Sequence, residues 1–130
     1  MKSIYIEKGK TPKVVIVDGS LNGYYELIGT ECVGFYEVNI SGVPLYIVYD
    51  DTAIESGDSI DTVLFHDEDG NVIGKIKGSV IITRKVIDDD GEEHCGSLSD
   101  SDVDMIIARI ASCEHDGFYL PIYAGEDSCF

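Results

Sequence analysis

Two short clusters in this 130-residue chain carry side chains able to bind a metal or attack a bond: His94-Cys95, and Cys113-Glu114-His115. Together they offer the Cys₂His₂ donors that zinc takes in tetrahedral geometry. The spacing argues against such a site. Zinc fingers and ribbons present two ligands on one CxxC knuckle, and an HC…CxH pattern has none. The clusters read as a thiol in a loop and a thiol at a helix end, and no cofactor is expected. Nor does His94 beside Cys95 make a catalytic dyad, because such partners come from distant parts of a chain. There is no GxSxG elbow, no Walker A loop and no GxGxxG turn. Carboxylate pairs for acid–base work abound in any acidic chain, so they single out nothing. The expectation is a protein that is not an enzyme, with no catalytic residue.

The carboxylates themselves are the feature to explain. There are 25 acidic residues against 9 basic ones, a formal charge of −16. Four lysines (Lys2, Lys8, Lys10, Lys13) open the chain. Val14 through Gly74 then holds twelve carboxylates and no Lys or Arg. A basic stretch follows (Lys75, Lys77, Arg84, Lys85), and Val86 to Phe130 holds twelve more carboxylates with one cation, Arg109. The acids concentrate in three segments: Asp50, Asp51, Glu55, Asp58 and Asp61; Asp67, Glu68 and Asp69; and Asp88, Asp89, Asp90, Glu92 and Glu93. None is an EF-hand loop. Setting Gly70 at position 6 puts Phe65 at position 1, and setting Gly91 there puts Val86 at 1 and Ser97 at 12.

Charge on this scale costs stability through self-repulsion, and solubility alone does not require it. Its sign disfavours direct contact with nucleic acid. Its density is close to that of nucleic acid. Duplex DNA carries one charge per ~1.7 Å, so sixteen charges match about 27 Å of duplex, against a diameter of roughly 35 Å for a domain of this length.

The elements that position these groups follow from periodicity. One domain spanning residues 1–130 is expected, since a chain of this length and a 44% hydrophobic fraction can bury a core unaided. Ser3–Glu7 and Val14–Val17 read as strands, the second one buried. Leu21, Tyr24, Tyr25 and Ile28 fall on one face of a short helix closed by Gly29. Gly34–Ile40 and Pro44–Tyr49 form a hairpin about Ser41-Gly42-Val43, and Asp50–Asp61 reads as a loop. Thr62–Phe65 and Val72–Ile76 flank a turn at Asp69-Gly70. Gly78–Ile87 is the strongest strand. Ser99 caps a second helix with Asp102 three residues on, and Val103, Ile106, Ile107 and Ile110 give it an apolar stripe to about Cys113. Within FYLPIY, Pro121 marks an edge strand. Tyr24, Tyr25, Tyr46 and Phe65 are expected in or beside the core. The fold class is therefore α+β: a mostly antiparallel, hairpin-built sheet with two helices, one packed on a sheet face.

No apolar run is long enough to span a membrane, and MKSIYIEKGK lacks the apolar centre of a signal peptide. Both features lead to a cytoplasmic expectation, in which Cys32, Cys95, Cys113 and Cys129 stay reduced.

The order VVIVDGSLNGYYELIG, YIVYDD, IKGSVIIT, DDDGE and SLSDSDV resembles a family of small uncharacterised domains from phages, plasmids and other mobile elements, over about Pro12–Ile110. The chain departs from that pattern in its Thr52–Asp61 segment and its heavier acid content. The resemblance implies a mobile-element accessory protein inside a bacterial host. With the charge, it leads to one expectation: an acidic mimic of nucleic acid that inhibits a host defence nuclease of restriction or CRISPR type. The thirteen carboxylates named above would stand in for phosphates against the basic surface of that nucleic-acid-binding protein. The alternative is a protein-interaction or assembly module whose acidity confers only solubility and whose partner meets a Tyr-rich sheet.

Overall fold

A computed structural model describes residues 1–7, 12–40, 42–52, 61–66, 72–109, 111–112 and 118–119, with 61–66, 72–77, 109, 111–112 and 118–119 at the level of backbone. The architecture is α+β, with two sheets and two helices. The organising strand is β7 (Val80–Ile87). It pairs antiparallel with β4 (Val43–Asp50) on one side. On the other side β1 (Lys2–Ile6) takes its first half and β8 (Glu93–Gly96) its second. β1 and β8 meet end to end, where the Leu98 amide donates to the Lys2 carbonyl at 2.8 Å. β2 (Lys13–Ile16) lies outside β1 and β3 (Val33–Ile40) outside β4, giving the order β2-β1-β7-β4-β3. A second sheet runs β6 (Val72–Lys77), β5 (Asp61–His66), β10 (Phe118–Tyr119), β9 (Ala111–Ser112), with one parallel pairing, β10 to β5.

β7 lacks polar alternation because both of its faces are buried over its first half. Val80 and Ile82 join Ile4, Ile6, Val38, Ile40, Leu45, Ile47, Leu98 and Ile106 in one cluster. Ile81 joins Tyr5, Val17, Tyr24 and Val48 in the other. Helix α1 (Leu21–Ile28) covers the Ile81 face, and α2 (Asp100–Arg109) inserts Ile106 into the Ile82 face.

Both helices are capped as their sequences require. The Ser20 hydroxyl accepts from the Gly23 amide at 3.0 Å, while Asp18 accepts from the Ser20 amide and hydroxyl at 2.8 and 2.7 Å. A Cβ at Gly23 would lie 2.5 Å from the Asp18 carboxylate, so glycine leaves room for the cap. Gly29 ends α1 at φ 82°, as a left-handed cap favours. In α2 the Ser99 hydroxyl accepts from the Asp102 amide at 3.1 Å, and Asp102 returns the bond to the Ser99 amide at 3.0 Å. That is the reciprocal pair expected from the spacing.

Several expectations need correction. β2 is an outer strand and not a buried one: Val14 is 49% and Ile16 76% exposed. On α1 the first stripe residue, Leu21, is 51% exposed, and Tyr24, Leu27 and Ile28 make the packing face. α2 ends at Arg109 and does not reach Cys113, because Ala111–Ser112 pairs with Phe118–Tyr119 as β9. β10 is an inner strand, not an edge, since β5 and β9 flank it. β8 carries no apolar alternation and is held by its hairpin to β7, so its sequence gave no strand signal.

Candidate functional site

The β7–β8 hairpin places the third acid segment. Asp88 folds the turn: its carboxylate accepts from the Asp90 and Glu92 amides, both at 2.9 Å. Its carbonyl accepts from Gly91, which sits at φ 81°. An aspartate bonded this way shapes the turn and is not free to meet a partner. Asp89, Asp90 and Glu92 stand exposed around it.

Glu93 has a different role. Lys85 Nζ lies 3.0 Å from carboxylate oxygens of both Glu93 and Glu37, and the Tyr46 hydroxyl donates to Glu93 at 3.2 Å. The ladders explain the meeting. Glu37 is registered against Tyr46, Lys85 against Cys95 and Glu93 against Ile87, so alternate positions of four neighbouring strands share one face. Hydrogen bonds to the two glutamates raise the Lys85 pKa and keep the ammonium charged. Burial, then the negative charges of Glu37 and Glu93, push the Tyr46 phenol up to about 12. Phe35 packs edge-on between Tyr24 and Tyr46, with centroids 6.1 Å from each.

The first acid segment lies at the far end of the sheet. Because β4 runs against β7 with Tyr49 opposite Val80, Asp50 and Asp51 fall beyond the start of β7, whereas Asp88–Glu92 lies beyond its end. Eight residues of strand separate them, roughly 26 Å. Asp50 is again structural, accepting from the Thr30 hydroxyl at 2.9 Å and from the Thr52 amide and hydroxyl at 2.9 and 2.7 Å. Asp51 accepts from the Cys32 thiol at 3.8 Å and borders an open depression of about 740 Å³ lined by Tyr25, Glu26, Gly29, Thr30, Glu31, Cys32 and Thr52. The C-terminus of α1 ends there with no basic residue in its last turn, so its dipole adds to the negative potential.

Of the thirteen carboxylates expected to imitate phosphate, Asp50 and Asp88 serve turns and Glu93 holds a lysine. Asp51, Asp89, Asp90 and Glu92 are exposed, at two opposite ends. Asp61 begins β5 opposite Lys77. Glu55, Asp58, Asp67, Glu68 and Asp69 lie outside the described residues, as do Cys113 and His115. His94 pairs with Val86 and Cys95 with Lys85, so these two neighbours point to opposite faces of β8 and cannot share a metal ion. Among the described residues no group of three His, Cys, Asp or Glu side chains could hold a metal.

The four cations whose side chains are described each meet a group of the same chain. Lys2 pairs with Asp100, Lys85 with Glu37 and Glu93, and Arg84 Nη1 with Asp102 at 2.6 Å. Lys13 lies 5.4 Å from the Tyr5 ring centroid.

Sequence reasoning missed Glu37, Lys85 and Phe35 as members of a surface. Each looks like an ordinary strand residue, and only the strand order brings them together. No protein-family model, curated protein or solved structure matches the chain. No helix among the described residues is long and apolar enough to cross a membrane.

Proposed function

We propose that this chain is a non-enzymatic acidic binding protein of a mobile genetic element, one that occupies the basic site of a host nucleic-acid-handling protein. The target class that fits a mobile element best is a defence nuclease of restriction or CRISPR type, inhibited by competition with its DNA or RNA. One observation carries the reading. Lys2, Arg84 and Lys85 are each paired with carboxylates of the same chain, while Asp51, Asp89, Asp90 and Glu92 face solvent. The excess charge is therefore directed outward and met by a partner's cations. A protein that is acidic only for solubility has no need of such an arrangement.

The alternative, an assembly module bound through its aromatic sheet face, is favoured by the 43% exposure of Phe35. A pull-down from a bacterial host separates the two. The mimic retains a nucleic-acid enzyme, releases it to added DNA or RNA, and loses it steeply as salt rises. Retention that is insensitive to salt, or that nucleic acid does not disturb, would refute competition.

A further inference from the structure

Among the described residues, a helix covers only half of the face of the central sheet that bears α1. α1 lies over Val48 and Ile81, in the first half of β7. Past Thr83, across β3, β4, β7 and β8, no helix of the described residues lies on the same face. Ile87, at the far end, is 62% exposed, and Phe35, registered with Val48 at the margin of α1, is 43% exposed. The surface is continuous: Phe35 meets the Tyr46 ring, Tyr46 donates to Glu93, and Glu93 lies opposite Ile87 in the ladder. Four strands at ~4.8 Å spacing make it about 14 Å across. Asp89, Asp90 and Glu92 stand at one end of it.

We propose that this face is where the partner docks, and that the partner presents arginine or lysine side chains interleaved with apolar or aromatic ones. The inference rests on the acidic-binder reading above and assigns it a surface and a partner composition. Charge complementarity identifies the occupant. Among the residues whose side chains are described, Lys85 is the one cation on the face, and with Glu37 and Glu93 around it the trio remains net negative. It also holds Glu93, whose side chain is 46% exposed, in a fixed position, so a partner guanidinium meets a carboxylate that is already ordered. Tyr46 and Phe35 offer ring surface to that cation, and Ile87 offers apolar area that charge alone would not use. A second copy of this chain is the wrong occupant, since two acidic faces repel. Cations beside aromatic side chains are the makeup of grooves that bind single-stranded nucleic acid, and this is the partner surface the face fits.

The test uses two amidated octapeptides of equal charge, one alternating arginine with tryptophan and the other arginine with glycine. Each is titrated into ¹⁵N-labelled full chain at about 0.15 M salt. The tryptophan peptide should bind roughly tenfold more tightly. Its shift changes should centre on Phe35, Tyr46, Ile87 and Glu93 and spare Asp51. Ile87→Ser, at a position exposed enough to leave the fold intact, should remove most of that preference, and Glu93→Gln should weaken both peptides. Equal affinity for the two peptides, or shifts spread evenly over all acidic ends, overturns the docking face while leaving the acidic-binder reading standing. Absence of salt-sensitive binding by either peptide overturns both.

Discussion

Replacing Asp102 by alanine tests how the fold neutralises Arg84 while securing a helix. Asp102 is 5% exposed and makes two kinds of contact at once. It accepts from the Ser99 amide at 3.0 Å, closing the first turn of α2, and from Arg84 at 2.6 Å, bridging that helix to β7. Burial works against its charge, but the Ser99 amide, the Arg84 guanidinium and the Ser99 hydroxyl outweigh it and hold the carboxyl below 3.8. Losing the return bond to the Ser99 amide costs about 1 kcal/mol, while the Ser99 hydroxyl keeps its bond to the backbone amide of residue 102. Leaving Arg84 unpaired adds about 1 kcal/mol, a discounted figure because that side chain is 38% exposed and water screens it. The emptied carboxylate space brings the total to about 2–3 kcal/mol. Urea unfolding should then show a midpoint lowered by about 1 M or more. Asp102→Asn, which keeps an acceptor for the Ser99 amide, should lose about half as much. A cycle with Arg84→Met should show coupling of about 1 kcal/mol. A loss below about 0.5 kcal/mol for the alanine variant would refute the reasoning. So would strict additivity in the cycle, for its ionic half.

Acid should act in two opposing ways. The Ser20 amide holds Asp18 below 3.8, Lys2 does the same for Asp100, and Asp102 is held low as described. Their stabilisation is complete above 3.8 and is lost as pH falls through the lower folded values. Relief of self-repulsion has the opposite slope, so the urea midpoint should rise from pH 7 to about 5 and fall below about 4. A fall throughout that range would count against self-repulsion. Ultraviolet titration should show a tyrosine ionising near 12 that disappears in Tyr46→Phe; its persistence there would assign the shift to another residue. Gly34→Ala should destabilise by about 1–3 kcal/mol in the same urea assay, because the new methyl would run into the Tyr49 ring.

Local signals were legible where local chemistry decides the outcome. Ser20 and Gly29 delimit α1, Ser99 and Asp102 start α2, and the β-branched run of β7 marks the strand buried on both faces. Long-range pairing decided the rest. The exposure of Ile16 follows from β2 being outermost, and the end of α2 follows from a ladder to Phe118–Tyr119, which no window around Cys113 contains. The acidic segments were visible as composition. Which carboxylates stay free was not, since Asp50 and Asp88 read like their neighbours until the amides they accept from are known.

That distinction changes what the charge can do. Counting carboxylates treats each as a phosphate substitute, yet a carboxylate holding a turn has its lone pairs occupied by backbone amides and fixes geometry instead. Of the three acid segments, the described exposed members (Asp51; Asp89, Asp90 and Glu92) lie roughly 26 Å apart, beyond the two ends of the strand whose cations are paired within the chain. Separated charges of one sign steer a basic partner from a distance but do not determine where it stops. Stopping needs short-range contact. The face of Phe35, Tyr46 and Ile87, with Lys85 held between Glu37 and Glu93, supplies exposed apolar area and ordered charge together. For the proposed binder, steering by the ends and docking on the face are therefore separable. Salt should act mainly on the association rate, whereas Ile87→Ser should act mainly on dissociation.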